Sequence, residues 1–163
     1  MAGGGGPGEK TLIADRLEHQ PNCALDHLGE LDLLRKIFDS TILIPPAIAR
    51  ELAGRVLPEW FEVRELRQPL SARALEAFLG AGESEALALA LEVEADLVLL
   101  DDKAARRLAT QLRLTVVGTL GVLLKAKEAG LIPSIRPKLE TLRSLPFHIS
   151  PRLLEDILSQ ARE

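Results

Sequence analysis

Apolar residues along this chain follow two rhythms. Four short runs, TLIA (11–14), TILIPP (41–46), ADLVLLDD (95–102) and LTVVGT (114–119), are nearly continuous in Ile, Leu and Val. Such runs mark strands buried on both faces. Between and after them, apolar positions recur at helical spacing in GELDLLRKIFD (29–39), PAIARELAG (46–54), SARALEAFLG (71–80), ESEALALALEVEA (83–95), AARRLATQL (104–112), TLGVLLKAKEAG (119–130) and SPRLLEDILSQARE (150–163). The run ALALALE alternates as a strand would. Ala and Leu are strong helix formers, however, and strands favour β-branched residues, so it is read as a buried helix. Strands interleaved with helices predict an α/β fold with a parallel sheet covered on both faces.

The chain's 163 residues are enough for one domain with a substantial core. Residues 1–10, rich in glycine, read as a flexible leader, and 11–163 as the domain. With no Tyr and one Trp, the core must be built from Leu, Ala, Val and Ile. No apolar run approaches the roughly 20 residues of a membrane span, and MAGGGGPGEK lacks the apolar stretch of a signal peptide. A lone cysteine excludes an intrachain disulfide and suits a reducing cytoplasm.

Net charge is −4, but its distribution is uneven. Residues 1–102 hold 9 Lys/Arg against 19 Asp/Glu, whereas 103–143 hold 9 against 2. An acidic, cation-binding centre beside a basic, polyanion-facing surface has this pattern, and so do ordinary solvated helix faces.

In parallel α/β folds, working groups sit where strands end and helices begin. Asp15 closes the first run, Glu51 lies in the helix opened by Pro45-Pro46, Glu83 and Glu85 open the fourth helix, and Asp101 and Asp102 close the third strand. Clustered carboxylates repel unless a cation neutralises them, and a hard divalent ion such as Mg²⁺ or Mn²⁺ prefers oxygen ligands. Each acid also has a local role open to it: a helix cap for Asp101 or Asp102, first-turn charges for Glu83 and Glu85, an ion pair with Arg55 for Glu51, a turn for Asp15. Thr119 is expected to cap its helix, or to hold a metal-bound water or a phosphate oxygen. Two other patterns are set aside. GGGGPGEKT (3–11) has Glu9 where a phosphate loop needs Lys, and Pro21 interrupts the helical spacing of His19, Cys23 and His27 as a zinc set.

Taken together, IPPAIAREL (44–52), GESEALALA (82–90), ADLVLLDDKAAR (95–106), VVGTLGVLLKAKEAGLI (116–132) and FHISPRLLEDIL (147–158) resemble the PIN-domain proteins of the compact prokaryotic branch that includes VapC-like toxins. The resemblance implies a three-layer α/β/α sandwich and metal-dependent ribonuclease chemistry, often within a toxin–antitoxin pair and as a homodimer. The apolar helix carrying Leu153, Leu154, Ile157 and Leu158 offers either a dimer surface or core. By the same likeness, Asp15, Glu51, Glu85 and Asp102, with Asp101, would hold Mg²⁺ or Mn²⁺, and Thr119 would be the family's hydroxyl. Lys103, Arg106 and Arg107 just past the acidic edge would steer RNA.

The chain leaves the family pattern after its first strand. The family runs Asp-(Thr/Ser)-Ser-Pro into a helix, whereas Asp15-Arg16-Leu17-Glu18-His19-Gln20-Pro21 is about three residues longer. Aligned backwards from Gly29, Pro21 takes the family proline and Glu18 the aspartate. Asp15 with an insertion, or Glu18 as a substitute, are the two registers. A local reading-frame slip is a third account, because His-Gln-Pro codons such as CAC-CAG-CCC-A read one base later give Thr-Ser-Pro. Three functions follow: an active endoribonuclease, a catalytically impaired PIN-like module that binds RNA or a partner, and, far behind, a phospho-receiver.

Overall fold

A computed structural model describes residues 11–14, 25, 28–52, 58–145 and 148–163. Its centre is a five-stranded sheet in the order β3-β2-β1-β4-β5. The strands are β1 (Thr11–Ala14), β2 (Thr41–Ile44), β3 (Phe61–Val63), β4 (Leu97–Leu99) and β5 (Val116–Val117), and every pairing is parallel. The helices, in chain order, are α1 (Asp32–Phe38), α2 (Pro46–Glu51), α3 (Pro69–Leu75), α4 (Ala81–Glu92), α5 (Lys103–Gln111), α6 (Thr119–Glu128), α7 (Arg136–Arg143) and α8 (Pro151–Gln160). Among the described residues no helix is long and apolar enough to cross a membrane.

Side chains alternate across the pleat, and this divides the core into two layers. Leu12, Ala14, Ile42, Ile44, Leu99 and Val117 face one layer, with Ile48, Val122, Leu123, Leu139, Leu142 and Ile157 from the helices. Ile13, Leu43, Val98 and Leu100 face the other, against Ala86, Leu87, Leu89 and Ala90 of α4 and Ala105 and Ala109 of α5. A sheet with apolar residues on both faces must be covered on both, which gives the expected three layers. The ALALALE run is indeed helical, and Ala86 to Ala90 of α4 are all at most 1 % exposed.

Two elements escape the apolar rhythm. Strand β3 is short and largely exposed, and it joins the sheet through β2 alone. Helix α7 has only Leu139 and Leu142 buried among charged neighbours. On α8, Ile157 is buried and Leu154 and Leu158 pack against the core, so most of its apolar face is interior, while Leu153 is 40 % exposed. Helix α6 ends in a Schellman motif. The Gly130 N–H reaches Lys127 O at 2.9 Å and the Leu131 N–H reaches Ala126 O at 2.8 Å, with Gly130 at φ +71°.

Glu163 ties the far side of the molecule together. Its Oε1 accepts from the Ile135 N–H at 2.8 Å and pairs with the Lys127 ammonium. Its Oε2 accepts from Ser134 Oγ at 2.6 Å and from the Arg136 N–H at 3.1 Å, so one carboxylate caps α7 and anchors to α6. Lys127 first, then Ser134 and the two backbone N–H groups, outweigh burial and lower the Glu163 pKa from 4.5 to about 2. Glu163→Gln is expected to lower stability at neutral pH by about 2 kcal/mol. Because the folded pKa is depressed, the wild type's advantage is complete above pH 4.5 and fades as pH falls from there through about 2. Urea midpoints of both proteins across that range measure it. A difference that ignores pH would show that the charge is not the cause.

Candidate active site

The order β3-β2-β1-β4-β5 puts a topological switch between β1 and β4: the chain moves to one side after β1 and to the other after β4. Crevices outside the carboxyl ends of strands at such a switch are the usual ligand sites of open parallel sheets. Asp15 follows β1 in sequence, but it and Glu18 lie outside the described residues, as do His19, Cys23, His27 and Arg55. Asp101 and Asp102 follow β4 on the other side of the switch.

Asp102 is the N-cap of α5, with its Oδ1 accepting from the Ala105 N–H at 2.9 Å. Its extended backbone (φ −65°, ψ 132°) turns the chain from strand to helix, and the cap satisfies one of the N–H groups that the first turn leaves open. Asp101 points to the neighbouring strand end instead. Its Oδ1 accepts from the Thr119 N–H at 2.8 Å and its Oδ2 from Thr119 Oγ1 at 2.6 Å. The expectation that Thr119 caps its own helix is therefore corrected. The N-cap of α6 is Gly118, and the hydroxyl of Thr119, 1 % exposed, is spent on Asp101. Thr119 is already the first helical residue, one place past the cap, and its hydroxyl donates a charge-assisted bond to the carboxylate across the rim.

Arg106 reaches back from α5 to donate from Nη1 to Leu100 O at 2.9 Å. The guanidinium lies over Gly118, where a side-chain Cβ would overlap it and would also sit 3.0 Å from Asp101 Oδ1. Glycine at 118 thus permits the close approach of β4, α5 and α6 at this corner. Lys103, Arg106 and Arg107 are exposed, as a polyanion-facing surface requires, though Arg106 also serves the strand end.

On the other side of the rim, Glu85 acts across elements. Its Oε2 accepts from the Ala47 N–H at 2.6 Å, and its Oε1 pairs with Arg50 at 3.2 Å. The N-cap of α2 is Pro45, which has no side-chain acceptor, so Glu85 supplies the anion that the start of α2 lacks. Glu51 is the exposed last residue of α2, one turn beyond Ala47 and on the same helix face. Glu83, 6 % exposed, occupies the third position of α4, and its Oε2 folds back beside the N-cap Gly80. That is the position of the acid in a capping box.

Apart from Glu83 at the start of α4, the described candidate acids thus form two groups, Glu51 and Glu85 about α2, and Asp101 and Asp102 about the β4 end. Each has a structural partner in the fold. Their donors are all oxygen, the chemistry of a hard divalent ion. Among the described residues, no three His, Cys, Asp or Glu side chains come together to hold a metal. The Asp101 to Thr119 link was hidden in the sequence, since nothing local joins positions 18 residues apart.

A family model for the PIN domain matches residues 19–163. The match takes in Glu51, Glu83, Glu85, Asp101, Asp102 and Thr119, and it begins beyond Asp15 and Glu18. No curated protein and no solved structure matches the chain. PIN domains are in general nucleases and typically use divalent metals. With a parallel sheet in three layers and a match over most of its length, the chain belongs to the PIN-domain family.

Proposed function

We propose that this chain is a divalent-metal-dependent endoribonuclease working at the C-terminal rim of its sheet. The observation that carries the reading is the arrangement of Glu85, Asp101 and Asp102 on helices and turns that open at that rim, beside the β1–β4 switch. The described oxygens suit Mg²⁺ or Mn²⁺ in kind but not in number. A full ligand set therefore draws on the first-strand acid, Asp15 or Glu18.

When bound, such an ion supplies positive charge to the phosphate and makes water more acidic. The chain's own residues do the positioning. Asp102 fixes the turn into α5, Asp101 is locked by two hydrogen bonds from Thr119, and Glu85 is held by the start of α2. Exposed Lys103 and Arg107 on α5 attract the RNA backbone. Family likeness extends the proposal to a toxin with a cognate antitoxin and to a homodimer, which size-exclusion chromatography with light scattering addresses.

The test is cleavage of single-stranded RNA with Mn²⁺, comparing wild type with Asp102→Asn and Glu51→Gln. Wild-type cleavage that stops in EDTA and falls in both variants supports the proposal. Equal rates in all three proteins reject the assignment.

A second reading, a catalytically impaired module that binds RNA or a partner, is favoured by one observation: the run from Asp15 to Pro21 departs from the family's first-strand pattern. Titration calorimetry with Mn²⁺ separates the two readings. Absence of binding at millimolar metal favours the impaired module.

A further inference from the structure

Beside Asp101 a cleft of about 410 Å³ runs along the outer side of β5, between α5 and α8. Its floor is apolar, formed by Val117, Leu120 and Leu124, and Leu153 and Ile157 of α8 form one wall. Its polar groups are Asp101 at the rim end, Arg106, His148 and Gln160. We propose that this cleft is a subsite for one unpaired nucleotide of an RNA strand whose neighbouring phosphate lies at the acidic rim. The proposal rests on the nuclease reading for the position of that phosphate, and on the cleft itself for the rest.

Three features select this occupant. The volume lies within the range that encloses a small organic ligand, roughly 300–1,000 Å³, and is suited to a single nucleotide rather than a duplex. The lining combines an apolar surface for a base face with a guanidinium and an imidazole, planar groups on which unpaired bases stack. Gln160 presents both a donor and an acceptor to a base edge. Continuity with Asp101 gives the strand a direction, because a nucleotide seated here leaves its backbone at the rim where the acids stand. Arg106 brings a guanidinium to the same wall beside Asp101, and its Nη1 bond to Leu100 O holds it in place.

The measurement is fluorescence anisotropy of a fluorescein-labelled single-stranded RNA 12-mer, in Ca²⁺ buffer, with a DNA strand of the same sequence as the second arm. His148→Ala and Leu153→Glu change exposed or partly exposed positions, and circular dichroism checks that both variants keep the wild-type fold. Each is expected to raise the Kd for RNA about tenfold, the scale of losing one stacked base. Leu70→Glu, at a position 74 % exposed on α3 and outside the cleft, is expected to bind as wild type does.

Unchanged affinity in both cleft variants, or no RNA binding by the wild type, overturns the subsite. Equal loss for RNA and DNA keeps the nucleotide site but removes its preference for RNA. Cleavage of the same RNA in Mn²⁺ is scored separately. Binding through the cleft without cleavage leaves the subsite standing and defeats the nuclease reading, and cleavage without any effect of the cleft variants does the reverse.

Discussion

Under the proposed nuclease reading, Glu85→Gln is expected to cut RNA cleavage about a hundredfold or more while leaving the melting temperature nearly unchanged. The substitution separates two roles that one carboxylate holds. As the cap of α2, Glu85 needs only an oxygen to accept from the Ala47 N–H, 2.6 Å away, and glutamine keeps one. Its ion pair with Arg50 is lost, but the arginine side chain is 67 % exposed, and such pairs contribute about 0–1 kcal/mol. The charge contributes at most about 1 kcal/mol at the start of α2, and its larger role is toward a cation at the rim. Rate measurements in Mn²⁺, alongside thermal melts of both proteins, decide the matter. An unchanged rate with an unchanged melt would leave Glu85 as a helix cap and remove it from the ligand set.

Asp101→Ala is expected to have the largest effect on stability, a loss of about 3 kcal/mol. Two donors of Thr119, its N–H at 2.8 Å and its hydroxyl at 2.6 Å, end on this single carboxylate, and Thr119 is only 1 % exposed. Alanine leaves both without their acceptor on a threonine that is itself shielded from solvent. Asp101→Asn is expected to lose less, because an amide still accepts the N–H and the threonine hydroxyl turns to accept from its NH₂. Adding Thr119→Val to each variant completes a double-mutant cycle in urea. A coupling of at least about 1 kcal/mol is expected, and additive effects would mean that the two side chains do not depend on each other.

The apolar rhythm made the sheet and most of its helices legible before any coordinates, because β1, β2, β4 and β5 are buried on both faces and so carry continuous Ile, Leu and Val. Strand β3 was missed for the opposite reason. It has one neighbour and a solvated face, so Phe61-Glu62-Val63 needs no apolar run. Helix α7 was missed because two leucines in a charged turn, opened by Pro137, make too narrow a stripe to register. At the rim, the capping of Asp102 was legible from its place before a helix, while Asp101 and Glu85 were legible only as acids. Their partners, Thr119 and Ala47, lie 18 and 38 residues away and come together only through the tertiary fold.

The sheet order also governs how the chain is assembled. Strand β1 leaves the ribosome before the other four strands, yet it occupies the middle of the sheet, and Leu12 pairs with Leu97, 85 positions later. Pairing with β2 covers one of its edges within some thirty residues, since Leu12 lies beside Ile42. The other edge stays open until β4 has been made. Contacts of such sequence separation close slowly, and an apolar strand with an unpaired edge invites pairing with other chains in the meantime. During synthesis, then, the vulnerable element is the one that ends best protected, and conditions that slow elongation between residues 45 and 97 should raise aggregation of nascent chains without changing the stability of the finished protein.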